Sequence, residues 1–207
     1  MKTRERIVET ALLLFNEQGE PNVSTLEIAN ELGISPGNLY YHFHGKEPLI
    51  LELFARFQAT LSTLLTPPDE ADLDAQDYWL FLHLIAEGMT AYRFLFQDLS
   101  HLSGRLPKLA HGMRLWLGRL RRTLKALLMQ LKRQGELRSA DFALDQMVEQ
   151  IVLTLLFSQD YQRILAQRAD SRLVVYQVML LVAPHLHESA RQTTELLARS
   201  YLQDSSA

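Results

Sequence analysis

The 207-residue chain has no cysteine, which removes disulfide scaffolds, Cys-ligated zinc, iron–sulfur clusters and thiol nucleophiles together. Glycine and proline are sparse, at nine and seven, so the chain has few of the breaks that short strands require. Alternating apolar–polar runs are hard to find. No apolar run approaches the roughly 18–20 residues of a membrane span, and the amino terminus lacks the apolar stretch of a signal peptide. Neither a Gly-rich phosphate loop nor a Gly-x-Ser-x-Gly elbow occurs, and Glu-x-x-His and His-Glu-x-x-His are both missing. The expectation is therefore a cytoplasmic chain with no catalytic residues, no metal and no cofactor. With 47% hydrophobic and 22% charged residues, it has enough apolar content for a real core.

The net charge of −3 conceals a strong asymmetry. Residues 1–47 carry four Lys/Arg against seven Glu, and residues 48–104 carry two against eight acids. Residues 105–138 then hold ten Lys/Arg against Glu136 alone, a local +9. The tail from 139 has five against eight. One basic sector sits inside an otherwise acidic protein.

The periodicity is helical nearly throughout, and the fold class expected is all-α. A first helix starts near Thr3, read as its N-cap, buries Ile7, Ala11, Leu14 and Phe15, and ends at Gly19. Ser24-Thr25-Leu26-Glu27 is a capping-box pattern that opens a short second helix, stopped by Gly33. Ser35-Pro36 opens a third helix running to about His42. A fourth, over 46–65, shows the apolar stripe Leu49, Ile50, Leu53, Phe54, Phe57, Leu61 and Leu64. Thr66-Pro67-Pro68-Asp69-Glu70 is the strongest linker signal. Further helices are expected over Tyr78–Tyr92, Pro107–Gln134, Asp141–Gln167 and Ser171–Ala183, with a last one after Pro184. Met113, Leu117, Leu120, Leu124, Leu127 and Leu131 form a packing seam on the basic helix.

Two short helices joined by a tight glycine turn, backed by an amphipathic helix, make a helix-turn-helix arrangement. Ile28, Ala29 and Leu32 must pack against Ile34, Leu39 and Phe43, while the third helix keeps a polar outer face. From Ser35 to His42 it spans roughly 12 Å at ~1.5 Å per residue, which matches the ~12 Å width of a major groove. The side chains presented would be Ser35, Asn38, Tyr41 and His42, with Tyr40 beside them.

The run from Ala29 to Phe43 (ANELGISPGNLYYHF), followed by Lys46-Glu47, resembles the signature of the tetracycline-repressor (TetR) family of bacterial transcriptional regulators. The likeness covers about the first quarter of the chain; the remainder fits in length and helicity. It implies that Thr25 contacts a DNA phosphate, and that Ser35, Pro36, Gly37 and Asn38 face the major groove. It also implies that Tyr40, Tyr41 and His42 touch sugar-phosphate or base edges, and that Lys46 binds a phosphate. A cation beside the free N–H groups of a helix start would form an anion site in any case. Leu26 departs from the pattern, standing where some members place a base-reading arginine, so base specificity would rest mostly on Asn38.

The expected organisation is a helix-turn-helix DNA-binding domain over 1–47 and a helical effector-binding and dimerisation domain over 48–207, connected by helix 46–65. The expected function is a ligand-responsive repressor that binds a palindromic double-stranded operator as a homodimer. Asp141–Gln167, through Phe142, Met147, Val148, Ile151, Val152 and Leu155, offers a dimer surface, with Ser171–Ala183 beside it. Trp79, Met113, Trp116 and Phe157 are candidates to line a mostly apolar effector pocket, with His83 as polar anchor. The pairs His42/His44 and His185/His187 are too divergent, at i and i+2, to hold a metal.

The basic sector has four readings. The preferred one is a solvated outer face. It could otherwise pair with the acidic stretch Asp69–Asp77, attract an anionic effector, or form a second nucleic-acid surface, the last weakened by the lack of interleaved aromatics. The rival function is a helical small-molecule carrier or enzyme in which the amino-terminal motif serves packing alone.

Overall fold

The computed structural model describes residues 2–65 and 74–203, the last three by backbone alone, and is helical with no strand among them. Eleven α-helices are described: α1 (Thr3–Gln18), α2 (Thr25–Glu31), α3 (Pro36–His42), α4 (Lys46–Leu61), α5 (Ala75–Ala91), α6 (Phe94–Gln97), α7 (Leu99–Arg105), α8 (Pro107–Arg133), α9 (Asp141–Ile164), α10 (Ser171–Val182) and α11 (Glu188–Gln203). The linker signal at Thr66–Glu70 lies outside the described residues.

The chain forms two compact units. The first joins Met1–Thr60 to Tyr92–Arg114; the second joins Leu61–Ala91 to Leu115–Ala207. The boundary expected at 47/48 falls in the first turn of α4, whereas the unit itself continues through that helix. Leu49, Ile50, Leu53, Phe54 and Phe57 explain why, because all are buried. No periodicity or motif signals that 92–114 belongs with the amino-terminal residues. Phe94 supplies the reason: it is fully buried, its ring lies 5.3 Å from Phe15, and its backbone N–H donates to Asn16 Oδ1 at 3.1 Å. Phe96 adds an edge contact to Phe57 at 5.5 Å.

Most local expectations hold. One end differs: Thr3 is the first helical residue of α1, and Lys2 stands at the N-cap without a side-chain bond. The stretch after Tyr92 also differs, since α6 and α7 are short helices that no periodicity announced.

In the second unit, α10 is central and packs against α5, α9 and α11. Asp74 caps α5, its Oδ1 accepting from the N–H groups of Gln76 and Asp77 at 2.8 and 3.0 Å. On α8 the expected seam is buried except at Leu117, which is half-buried, and Trp116 and Leu128 join it. The basic residues of α8 find acids on α9. Arg121 pairs with Glu149, Lys125 with Asp145 at 2.6 Å and Lys132 with Asp141 at 2.6 Å. Charges ascending one helix meet charges descending the other, yet most of the sector's basic residues, Lys108, Arg114, Arg119, Arg122 and Arg133 among them, are exposed, as a solvated outer face requires.

α9 corrects the expected dimer surface. Met147, Val148, Ile151, Val152 and Leu155 are buried in the unit's own core. Its exposed apolar stripe is Phe142, Leu153, Phe157, Tyr161 and Ile164, on the opposite side of the helix.

Candidate nucleic-acid interface

The local sequence builds the reading head in steps. Ser24 Oγ accepts from the Glu27 N–H at 3.2 Å, and the Glu27 carboxylate accepts from the Ser24 N–H at 2.6 Å, so the capping box is complete. Those bonds hold the Glu27 carboxyl below the usual carboxylate range, the backbone bond from Ser24 contributing most. Gly33 then takes φ +64°, a left-handed turn that any side chain would strain. The Ile34 N–H reaches back to Ala29 O at 3.0 Å and closes the turn. Ser35 Oγ accepts from the Asn38 N–H at 3.2 Å, and Pro36 occupies the first position of α3, where no helical N–H is needed.

The inner side of this assembly is apolar: Ile7, Val8, Ala11 and Phe15 of α1 are buried, as are Ile28, Ala29, Leu39 and Phe43. Leu32 and Ile34 are half-buried, a looser seat than the sequence suggested. Arg4 braces the end of α3. Its guanidinium sits 4.9 Å from the centre of the Phe43 ring and bonds Glu52 at 2.8 Å. Arg56 completes this network with both oxygens of Glu5, at 2.6 and 2.7 Å, and with Glu52.

The outer side of α3 is polar and aromatic. Ser35, Pro36, Gly37, Asn38, Tyr40 and Tyr41 are exposed, Tyr41 by 79%, while His42 is half-buried. Tyr40 rests edge-on against His44 at 4.8 Å, and Tyr41 against His42 at 5.2 Å, which pre-orients both phenols. Thr25 is half-buried at the first position of α2, and Leu26 is 53% exposed beside it.

Lys46, expected at a phosphate, is engaged inside the first unit. Its Nζ donates to Glu20 O at 2.8 Å and Val23 O at 2.9 Å, and lies 2.9 Å from Glu20 Oε1. An ammonium has three donors, and these three acceptors take them all. The same Glu20 oxygen accepts from Arg105 Nη2 at 2.8 Å, and Glu20 is fully buried. Burial pushes the Glu20 carboxyl up, but the bonds and charges of Arg105 and Lys46 outweigh it and hold the group below the usual range. Two of the seven glutamates of residues 1–47 are thus offset by cations, Glu5 by Arg56 and Glu20 by Lys46 and Arg105, while Glu27 is spent on its cap.

Of the candidate pocket residues, Met113 belongs to the first unit and the other four to the second. Trp79 is buried, and its indole N–H donates to Thr194 Oγ1 at 2.9 Å. His83 Nε2 lies 3.3 Å from Glu87, and Trp116 is buried. Phe157 contradicts its assignment, being 51% exposed on the outer stripe of α9. Glu20 and Arg105 were missed by sequence reasoning. No local pattern marks either, because the contact joins positions 85 residues apart.

Comparison with known proteins matches residues 7–53 to the pattern of bacterial regulatory proteins of the tetR family. Residues 56–194 match the TetR pattern of bacterial transcriptional repressors. The HTH-type transcriptional regulator TtgW of Pseudomonas putida is 35% identical over 78 residues, which are 38% of this chain and 55% of that protein. An HTH-type transcriptional regulator of Staphylococcus aureus is 44% identical over 66 residues, 32% of this chain and 34% of that protein. The chain thus spans between a third and about half of these curated relatives. Among solved structures, a TetR-family transcriptional regulator from Marinobacter aquaeolei superposes with a TM-score of 0.87 at 29% identity, covering 97% of this chain and 99% of the other. With both patterns matched in order and the fold shared along nearly its whole length, the chain belongs to the TetR family of bacterial transcriptional regulators.

Proposed function

We propose that the protein is a sequence-specific DNA-binding repressor that docks α3 in the major groove of a palindromic operator, as a homodimer, and is released by a small-molecule effector. The observation that carries this reading is the outer face of α3. It is a rigid, capped helix, apolar beneath, that offers Ser35, Asn38, Tyr40 and Tyr41 outward with no acid among them. Asn38 supplies a bidentate amide suited to an adenine edge, and the oriented tyrosines supply contacts to phosphate or base edges. His42, Pro36 and Gly37 line the same face, and Thr25 stands at the start of α2 for a phosphate. Leu26 suits a thymine methyl in place of a charged reader. Lys46 serves as an internal clamp. Residues 1–47 then carry DNA reading, and 48–207 carry effector binding and dimerisation.

Two-fold pairing would use the exposed stripe of α9, since a palindrome requires a symmetric protein. The effector would be mostly apolar, held within the second unit near Trp79, His83 and Trp116. An anionic group on the effector would draw on the basic sector, of which Arg121, Lys125 and Lys132 already pair with acids of α9. No helix among the described residues is long and apolar enough to cross a membrane, in keeping with work on cytoplasmic DNA.

Fluorescence anisotropy with a labelled duplex from the gene's own upstream region tests the proposal. Asn38→Ala and Tyr41→Ala should each weaken binding about five- to 150-fold, since a base contact contributes about 1–3 kcal/mol. Wild-type affinity in both variants would sink it.

A further inference from the structure

A fully buried carboxylate with two cations on one oxygen is a costly arrangement that needs a reason. Glu20 Oε1 lies 2.9 Å from Lys46 Nζ and 2.8 Å from Arg105 Nη2. The three side chains come from three places in the first unit: the turn after α1, the first residue of α4 and the last of α7. Lys46 also holds the carbonyls of Glu20 and Val23, the two ends of the turn that delivers the chain to Ser24. Ser24 is the cap that starts α2. The turn is otherwise held by short local bonds, Asn22 donating to Gln18 O at 2.7 Å and to Gly19 O at 3.2 Å and Val23 to Glu20 O at 3.3 Å, and by the buried Val23 side chain. α7 itself touches no part of α2 or α3 through these bonds. Arg105 reaches the reading head by charge, through Glu20 and, at 3.9 Å, through Glu47 beside Lys46.

We propose that Glu20 and Arg105 are positioning residues for DNA binding: through one carboxylate, Arg105 fixes Lys46 and the α1–α2 turn, and so sets the seat of α2 beneath the recognition helix. Removing Arg105 leaves the buried carboxylate with half its cationic partners. The turn then loosens and draws Lys46 with it, while the exposed face of α3 keeps its own caps. DNA affinity falls without the loss of any phosphate contact. A direct phosphate ligand would act differently, because its removal lowers the slope of log K against log salt by about 0.9. This inference rests on the DNA-binding reading above.

The full-length chain is compared as wild type, Arg105→Met and Arg105→Lys, using the same upstream duplex across a salt series and amide hydrogen exchange without DNA. Expected for Arg105→Met is a roughly tenfold loss of affinity at unchanged salt slope, with exchange at residues 20–25 and 46–49 rising at least tenfold. Protection over α9 and α10 should stay as in wild type, and Arg105→Lys should restore affinity to within about threefold. Wild-type exchange at 20–25 in Arg105→Met overturns the proposal, as does a slope reduced by about one unit. Loss of protection throughout the chain in both variants also overturns it, since Arg105 would then be only a staple of the fold. If wild type fails to bind the duplex, the DNA-binding reading falls, and the exchange measurement alone decides the link from Arg105 to the turn.

Discussion

Phe157→Glu should dissociate the proposed dimer. Phe157 is 51% exposed on the outer stripe of α9, flanked by Leu153 and Tyr161. A phenylalanine buries some 150–250 Å² in full, so about half of that, roughly 75–125 Å², remains to be covered by a partner. At about 25 cal/mol per Å² this area is worth roughly 2–3 kcal/mol per copy. A two-fold interface holds every residue twice, which doubles the effect to about 4–6 kcal/mol. Association recovers only part of such transfer energy, and half of it, about 2–3 kcal/mol, still weakens the dimer around a hundredfold. The glutamate's desolvation adds to the loss. Sedimentation velocity across a thousandfold concentration range measures it, with far-UV circular dichroism as the check on folding. Leu115→Glu is the control: Leu115 is similarly exposed, at 53%, but belongs to α8 rather than to the α9 stripe, and should leave the dimer intact. A wild type that is monomeric throughout, or a Phe157→Glu variant with an unchanged midpoint, would refute the reasoning.

Ser24→Ala removes the hydroxyl that caps α2 and should cost about 1 kcal/mol of stability in denaturant titration, with a smaller loss for Ser24→Gly. The carboxyls of Glu5, Glu20, Glu27 and Glu52 all lie below the ordinary 4.5. Their contribution should be complete above about pH 4.5 and disappear as the pH falls through the depressed values, so thermal melts should weaken progressively only below that point. Lys125→Glu should lower stability by less than about 1 kcal/mol, the usual worth of an exposed pair, and adding Asp145→Lys should return most of it at low salt but little at 1 M. Lys46→Met should leave the salt slope of DNA binding unchanged, because its three donors already serve Glu20 and Val23; a slope reduced by about one unit would return Lys46 to the phosphate.

The reading head was legible because its punctuation is local. Ser24 with Glu27, Gly33, and Ser35 with Pro36 each act within four residues, so α2 and α3 begin and end where the sequence placed them. Periodicity failed where one helix carries two apolar faces. On α9 the set around Ile151 and the set around Phe157 are both helical in spacing, and only packing within the unit, against α10 above all, decides which is core. The α6–α7 stretch escaped because its order comes from Phe15, Asn16 and Phe57, which are distant in sequence. Glu20 escaped for the same reason: a buried acid is recognised by its cations, and those lie 26 and 85 residues away.

The composition of the first unit bears on how such proteins can be recombined. Phe94, Phe96 and Arg105 complete a body whose other members end at Thr60. A fragment cut at residue 47 or 60 would expose the cavity that Phe94 fills beside Phe15 and would leave Glu20 short of a cation. A chimaera that transplants only the amino-terminal segment onto a foreign sensor would inherit that sensor's counterpart of 92–114 and any mismatch it brings. On the proposed reading, exchange of DNA specificity is safer by rewriting the outer face of α3, at Asn38, Tyr40 and Tyr41, than by exchanging the head. The unit of inheritance in this fold is discontinuous in the gene.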